Sequence, residues 1–271
     1  VPEGMAIRQA GVRLPILKLS PAFPEEMEAA IENDITLSVI DTDSIQILQE
    51  TAKSMGKKAN VHLKVDTGMG RIGVRPEIAP DRALFIEKNC PNLHLQGIFT
   101  HMAVADMSDL DPFLYTEDQI QNFKNIVETV NQAIGREIEL PHCANSGDIL
   151  GHKNSFMKMV RPGIMIYGYY PDLSTPKTIF LKPGLSFYSR VSFIKRVKAR
   201  TPISYGQTWV APRATYIATV PVGYADGFNR LFSNRGRMLI NGRSYPVVGR
   251  VCMDQTMIDL GPETDVKVGD E

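Results

Sequence analysis

The strongest constraint on this chain is a switch in its hydrophobic rhythm about two thirds of the way along. Short apolar runs at residues 15–19, 36–40, 61–65 and 93–99 alternate with helical periods at 24–33, 43–55 and 81–89. Strand and helix at that spacing predict βαβ units and a parallel sheet covered by helices. Pro24 suits a first helical turn, where its missing N–H costs nothing. A longer helix follows, and Thr116 with Gln119 three residues on has the spacing of a capping box, so its start is expected at 116. After about Leu181 the helical period stops. Residues 189–197, 214–220, 237–240 and 245–248 are short β-rich runs, and 265–268 reads the same way. Asn241-Gly242 between two of them is a type I′ hairpin signal, because that turn needs positive φ at both positions. The expected organisation is an α/β domain over residues 1–181 and an all-β domain over 182–271. Periodicity leaves barrel and open sheet both standing, since the units number fewer than the eight of a closed barrel.

Composition removes several classes of function. Thirty Lys+Arg balance thirty Asp+Glu, so nothing suggests a polyanion partner such as nucleic acid. The three cysteines, Cys90, Cys143 and Cys252, are far apart and make neither a disulfide framework nor a metal-ligand spacing. No apolar run approaches the roughly 18 residues of a membrane span. A chain of 271 residues can bury a core without staples, which leaves a soluble, cytoplasmic enzyme as the working class. The chain starts at Val1 without a leader and stops on the turn signal Gly269-Asp270, so both ends are expected to be cut.

Gly68-Met69-Gly70-Arg71-Ile72-Gly73 follows a strand and matches a dinucleotide-binding fingerprint. That motif needs a helix to start at once, with its N-terminus on a pyrophosphate. Pro76 and Pro80 punctuate the stretch instead, and a Gly-rich turn leaves Lys64 and Arg71 unexplained. A nicotinamide dehydrogenase resting on Gly68, Gly70 and Gly73 is therefore the weaker enzyme hypothesis. A binding or dimerisation module is the non-enzyme one.

The stretch Lys64-Val65-Asp66-Thr67-Gly68-Met69-Gly70-Arg71-Ile72-Gly73 closely resembles a segment that members of the alanine racemase family carry after a barrel strand. Six further segments resemble the family in order: Thr100-His101-Met102-Ala103-Val104-Ala105-Asp106, His142-Cys143-Ala144-Asn145-Ser146, Arg161-Pro162-Gly163-Ile164-Met165-Ile166-Tyr167-Gly168, Ile203-Ser204-Tyr205-Gly206-Gln207-Thr208, Pro221-Val222-Gly223-Tyr224-Ala225-Asp226-Gly227 and Val248-Gly249-Arg250-Val251-Cys252-Met253-Asp254-Gln255. The resemblance implies a (β/α)8 TIM-type barrel, partial in this chain, followed by a C-terminal β domain. It implies pyridoxal 5'-phosphate as cofactor, a small amino acid as substrate, and a head-to-tail homodimer with shared active sites. The reaction implied is interconversion of L- and D-alanine by two-base proton transfer at Cα, which supplies D-alanine for cell-wall precursors. A serine or broad-specificity racemase shares nearly all of these segments. The family's Schiff-base lysine precedes the first residue here and a second tyrosine follows the last, so this chain alone is expected to be inactive.

Residue roles follow from the same resemblance. Arg161 would donate to the pyridine nitrogen and, having no proton to give up, leave the ring unprotonated. That limits carbanion stabilisation to what a racemase needs. Tyr205 would work on one face of Cα; a free tyrosine near a pKa of about 10 is a poor base, so cationic or hydrogen-bonded help from His101, backed by Arg161, is expected. Lys64 and Arg71 would place two cations at one site, an arrangement relieved if Lys64 is carbamylated and holds Arg71 against cofactor and substrate carboxylate. Ser146, Asn145, Gly163 and Ile164 would cradle the phosphate through hydroxyl and backbone N–H groups. Met253, with Cys252 and Asp254, would meet the substrate carboxylate from the other subunit. Asp106, His142, Tyr224, Arg230 and Arg250 would line an access corridor. No metal is expected.

Overall fold

A computed structural model describes all 271 residues, in two compact units, Val1–Gly184 and Leu185–Glu271. The first opens with helix α1 (Pro2–Gln9), which sequence patterning did not signal. It continues as β1 (Ile16–Pro21), α2 (Pro24–Glu32), β2 (Ile35–Val39), α3 (Thr42–Ser54), β3 (Ala59–Lys64), α4 (Ala79–Asn89), β4 (Leu93–Phe99), α5 (Leu110–Ile134), β5 (Leu140–His142) and α6 (Ser146–Gly151). Local chemistry explains the punctuation. Asp41 caps α3 by accepting from Ser44 N at 2.7 Å, and Glu26 in the first turn of α2 accepts from Phe23 N at 3.1 Å. α5 ends on Gly135 in the left-handed region.

The five strands are parallel and lie in sequential order, β1-β2-β3-β4-β5. Sequential order is the arc of a barrel. A doubly wound sheet reverses its strand order and binds dinucleotides at the reversal, and this sheet has no reversal. Leu37, Val39, Val61, Leu63, Leu95 and Ile98 from the strands meet Ile45, Leu48, Ile86, Ile120 and Phe123 from the helices in one buried core. Each such side chain contributes about 1.5–3 kcal/mol by leaving water.

One irregularity matters for the site. Val61 pairs with Leu95 but His62 pairs with Gly97, so Gln96 is the extra residue of a β-bulge in β4. Gly97 thereby comes to lie against the His62 ring, where any Cβ would collide with the imidazole.

The second unit is antiparallel: β12 (Thr256–Gly261), β9 (Thr215–Val220) and β6 (Phe193–Val197) form one sheet in the order β12-β9-β6. Two hairpins accompany it, β7 (Pro202–Ile203) with β8 (Trp209–Val210), and β10 (Arg237–Ile240) with β11 (Arg243–Pro246). Val191, Ala218, Val220, Ile240, Val247, Ile258 and Leu260 form its core. Asn241 (φ 49°) and Gly242 (φ 79°) make the expected two-residue turn. Because Ile240 pairs directly with Arg243, the returning strand starts two residues earlier than its apolar run suggested.

Two expected elements are corrected. Residues 265–268 form no strand; Asp270 accepts from Lys267 N (2.9 Å) and Asn241 Nδ2 (2.7 Å), which closes a turn instead. α5 begins at Leu110, not at Thr116: Thr116 Oγ1 donates back to Pro112 O at 2.9 Å, and Gln119 is buried inside the helix. No helix is long and apolar enough to cross a membrane.

Candidate active site

In the first unit the predicted residues sit at the C-terminal ends of consecutive strands, where an α/β barrel keeps its chemistry. Lys64 ends β3, His101 follows β4, His142 ends β5, and Arg161 is joined to that end by its N–H to Ala144 O at 3.0 Å.

Arg161 is the best-anchored of them. Its Nη2 donates to Thr100 O (2.8 Å) and Cys143 O (2.7 Å), and its Nη1 meets His142 Nδ1 at 2.5 Å. These bonds commit three of the five guanidinium hydrogens and leave Nε–H and one Nη1–H without a protein partner. Burial lowers the Arg161 pKa to about 10, so it stays charged at neutral pH.

The contact fixes tautomers behind it. Arginine only donates, so His142 Nδ1 accepts and its proton sits on Nε2. That nitrogen lies 2.9 Å from His62 Nδ1, which must accept in turn, leaving His62 to donate onward from Nε2. Gln96, the bulge residue, is the side-chain partner of His62. Burial, reinforced by the Arg161 charge, drives His142 down to about 2 and His62 to about 4. Both imidazoles are neutral at pH 7. His142 is fully buried and stacks on Phe99 with ring centroids 4.8 Å apart. Its expected place in an access corridor is therefore corrected: it stands behind Arg161, inside the core. His62 and Gln96 were missed by sequence reasoning, because a lone histidine or glutamine on a strand carries no signal of its own.

Lys64 is 2% exposed, which excludes a solvated ion pair with Arg71. Its Nζ donates to Val65 O at 2.9 Å and lies 5.3 Å from the centre of the Phe99 ring, which Arg161 also approaches at 5.5 Å. Burial lowers its pKa to about 8, and the Arg161 and Arg71 charges add to that against the opposing pull of Asp66. Arg71 is exposed. Its loop is closed by Asp66, whose Oδ1 accepts from Gly68 N and Gly70 N, both at 3.0 Å. The glycine amides thus point at their own chain's carboxylate, and the next α-helix starts only at Ala79. The dinucleotide fingerprint has no anion site to offer.

His101 is half-buried, and burial next to Arg161, Arg71 and Lys64 lowers it to about 4. It is a neutral imidazole, able to help by hydrogen bonding and not by charge. Asp106 is half-buried and holds Thr175 Oγ1 through its backbone carbonyl at 2.8 Å.

Ser146 opens α6, and its Oγ accepts from Gly163 N at 2.8 Å and from Met165 N at 3.5 Å, beside the short 3-10 helix Ile164–Tyr167. Gly163 and Ile164 are exposed. Asn145 is committed inside the protein: Oδ1 accepts from Gly147 N and Asp148 N, and Nδ2 donates to Met102 O. It orders Ser146, and one Nδ2–H remains without a protein partner. Buried Asp148 completes that cap by accepting from Asn145 N at 2.9 Å, and burial raises its pKa to about 6. These donors suit pyridoxal phosphate: a serine hydroxyl with adjacent exposed backbone for the phosphate, and a fixed guanidinium with two unused N–H groups for a ring nitrogen. No group of three acidic, histidine or cysteine side chains could hold a metal.

The second unit collects Tyr205, Tyr224, Arg250 and Met253 on neighbouring loops. Tyr205 is 70% exposed and stands in a segment with three positive φ angles, at Ser204 (64°), Gly206 (68°) and Gln207 (49°). Ser204 Oγ donates to Arg250 O at 2.7 Å, which ties that segment down. Gly249 (φ 76°) lets it close, because a Cβ there would lie 2.6 Å from Ser204 Cβ and 2.8 Å from Ile203 O. Tyr224 N and Ala225 N donate to Cys252 O and Met253 O, both at 3.0 Å. Met253, Asp254, Arg230 and Arg250 are exposed and Cys252 is half-buried.

A barrel arc with cations and neutral imidazoles at its strand ends, carrying a serine-centred anion cradle, defines an α/β-barrel enzyme for an anionic cofactor. Residues 1–171 match the family model of the alanine racemase N-terminal domain, and residues 184–271 match that of the C-terminal domain. The chain is 46% identical to an alanine racemase of Cutibacterium acnes, covering 100% of this chain and 71% of the relative. It is 40% identical to alanine racemase 2 of Caldanaerobacter subterraneus subsp. tengcongensis, covering 100% and 69%. Among solved structures it is similar to the alanine racemase of Clostridium difficile 630, with TM-score 0.87, 38% identity and coverage of 99% and 69%. The biosynthetic alanine racemase of Pseudomonas aeruginosa gives TM-score 0.88 at 28% identity, covering 100% and 72%. The chain belongs to the alanine racemase family, whose members are pyridoxal-phosphate-dependent isomerases.

Proposed function

We propose that this chain racemises alanine and that the residues assembled above divide the work. The observation that carries the reading is the Arg161 anchor, a fixed cation with two unused N–H groups in the unit that also holds Ser146. Bound pyridoxal phosphate supplies the electron sink that lets a Cα proton leave. Arg161 holds the pyridine nitrogen without lending it a proton. Ser146 and the backbone at Gly163 and Ile164 hold the phosphate. Tyr205 moves the proton on one face of Cα, with the neutral His101 imidazole as its hydrogen-bond partner. Met253 offers its backbone N–H to the substrate carboxylate, flanked by Cys252 and Asp254, and Asp106, Tyr224, Arg230 and Arg250 line the approach.

Lys64 carries a carbamate in this reading. A buried amine with a pKa near 8 is neutral often enough to attack CO2. The N–C bond forms, one amine proton passes to water, and the resulting anion holds Arg71. Intact-protein mass before and after acid treatment reads this directly, since acid releases the CO2.

Met253 and a neighbouring aromatic side chain keep the substrate pocket small, so alanine is preferred to longer side chains; equal turnover of lysine and alanine overturns that pocket. The enzyme is a cytoplasmic homodimer in which Tyr205 and Met253 of one chain serve the cofactor held by the other. Mixing full-length Tyr205→Phe and His101→Ala proteins with subunit exchange restores activity if sites are shared and restores nothing if each chain completes its own. The test of the function is the visible absorbance of bound cofactor in the full-length protein, together with loss of optical rotation from L-alanine. Nucleotide binding without that absorbance overturns it.

A further inference from the structure

We propose that Gln119 is a positioning residue that clamps the loops carrying Arg71 and His101 to each other and to the anchor of Arg161. The proposal rests on the roles given above to those three residues, and it starts from the glutamine whose spacing imitates a helix cap. Gln119 is 3% exposed and projects from the middle of α5, a helix on the outside of the sheet. Both ends of its amide leave the helix. Oε1 accepts from Ala103 N at 3.1 Å, two residues beyond His101. Nε2 donates to Thr67 Oγ1 at 3.1 Å, four residues before Arg71. Thr67 Oγ1 in turn lies 2.8 Å from Thr100 Oγ1, and the Thr100 carbonyl is one of the acceptors that fix Arg161.

One side chain thus touches the loop after β3 and the loop after β4, and reaches the guanidinium anchor through two threonine hydroxyls. One turn back along α5, Tyr115 OH donates to Gly68 O at 3.1 Å and braces the first loop a second time. A buried amide with both ends bonded has one low-energy position, since leaving either end unpaired costs the desolvation of that group. The helix therefore transmits its own rigidity to two loops that have no regular structure of their own. A misplacement of about 1 Å at reacting groups can cost a hundredfold in rate, so the clamp is worth more to turnover than to folding.

The test uses the full-length holoenzyme. Gln119→Met keeps the side-chain length and removes donor and acceptor together. Its kcat for alanine should fall between about ten- and a hundredfold. Its dissociation constant for pyridoxal phosphate, read by fluorescence quenching, should rise about threefold or more as the Arg161 anchor loosens. Gln119→Glu can still accept from Ala103 N and can accept from Thr67, with the threonine bonds reversing direction, so its kcat should stay within about threefold of the parent. A Gln119→Met protein that melts earlier but keeps the parent kcat, KM and cofactor affinity overturns the proposal, because the bonds would then serve folding alone. If that variant does not fold, Tyr115→Phe removes only the bond to Gly68. A kcat lowered about threefold supports the clamp, and parental kinetics overturn it. The unmodified enzyme separates the two readings: no bound cofactor in it overturns the proposed function itself, whereas a defect confined to the variants bears on the clamp.

Discussion

The two units hold their candidate functional residues by opposite means. In Val1–Gly184 most of the groups are buried or half-buried at strand ends, with Arg71, Gly163 and Ile164 exposed, and the protein sets their protonation: neutral His62, His101 and His142, a cationic Arg161 and a lysine lowered to about 8. In Leu185–Glu271 all but half-buried Cys252 are exposed, and the backbone is the unusual part, with Ser204, Gly206 and Gln207 at positive φ around Tyr205. One unit tunes charge by desolvation. The other fixes direction by a constrained loop, a common companion of active sites. The contrast teaches that substitutions in the first unit should trade function together with stability, while those in the second should separate the two.

The hardest test of that contrast is Arg161→Ala, which strands His142 Nδ1 and two buried carbonyls. Activity should fall at least a hundredfold, and chemical denaturation should show a loss of about 3 kcal/mol or more. Preserved stability would break the comparison at its strongest point. Tyr205→Phe is the counterpart. A loss of roughly a hundred- to ten-thousandfold in racemisation is expected with folding stability unchanged within about 0.5 kcal/mol, because the hydroxyl is exposed and unburdened by packing. Gly249→Ala strikes the constraint itself. It puts a methyl group against Ser204 and Ile203, so the second unit should lose about 1–3 kcal/mol and Tyr205-dependent turnover should fall with it.

A pH dependence of stability, spread over several pH units, is also expected, and it is confined to the first unit. His62, His101 and His142 titrate lower in the folded protein than in the unfolded chain, so the unfolded state binds more protons in acid. Their contribution is fully present above about pH 6.5 and is lost as pH falls toward about 4 for His62 and His101 and about 2 for His142, at no more than about 1.4 kcal/mol per pH unit for each group. Asp148 acts the other way: its raised pKa stabilises in acid and that contribution disappears as pH rises through about 6. Three groups against one give a net loss on acidification. Denaturation followed at pH 7 and pH 5 should show it, and His62→Gln should flatten it.

How far the sequence carries this picture depends on whether a feature is periodic or singular. The βαβ alternation and the Asn241-Gly242 hairpin were legible because hydrophobic period and turn chemistry are local. The placement of Lys64, His101 and Arg161 at strand ends was legible only through seven ordered segments that resemble one family. Thr116 and Gln119 show the limit. The capping-box spacing is present, yet the hydroxyl bonds back one turn and the amide serves two distant loops, a use that spacing cannot distinguish from a cap. His142 fails for the same reason, since which partner claims a polar atom is decided by tertiary packing. Gln96 leaves no trace at all in the sequence; a bulge is visible only once the register of two strands is known.

That bulge has a consequence for how such a chain can change over generations. The imidazole of His62 occupies the space that any side chain at position 97 would need, and the bulge at Gln96 is what brings the two positions opposite each other. Neither position can drift alone: a larger residue at 97 evicts the ring at 62, and eviction leaves His142 Nε2 with a proton and no acceptor. Among relatives that keep histidine at both 62 and 142, glycine at 97 should be inherited as part of the same heritable unit, although it touches no substrate and bears no side chain.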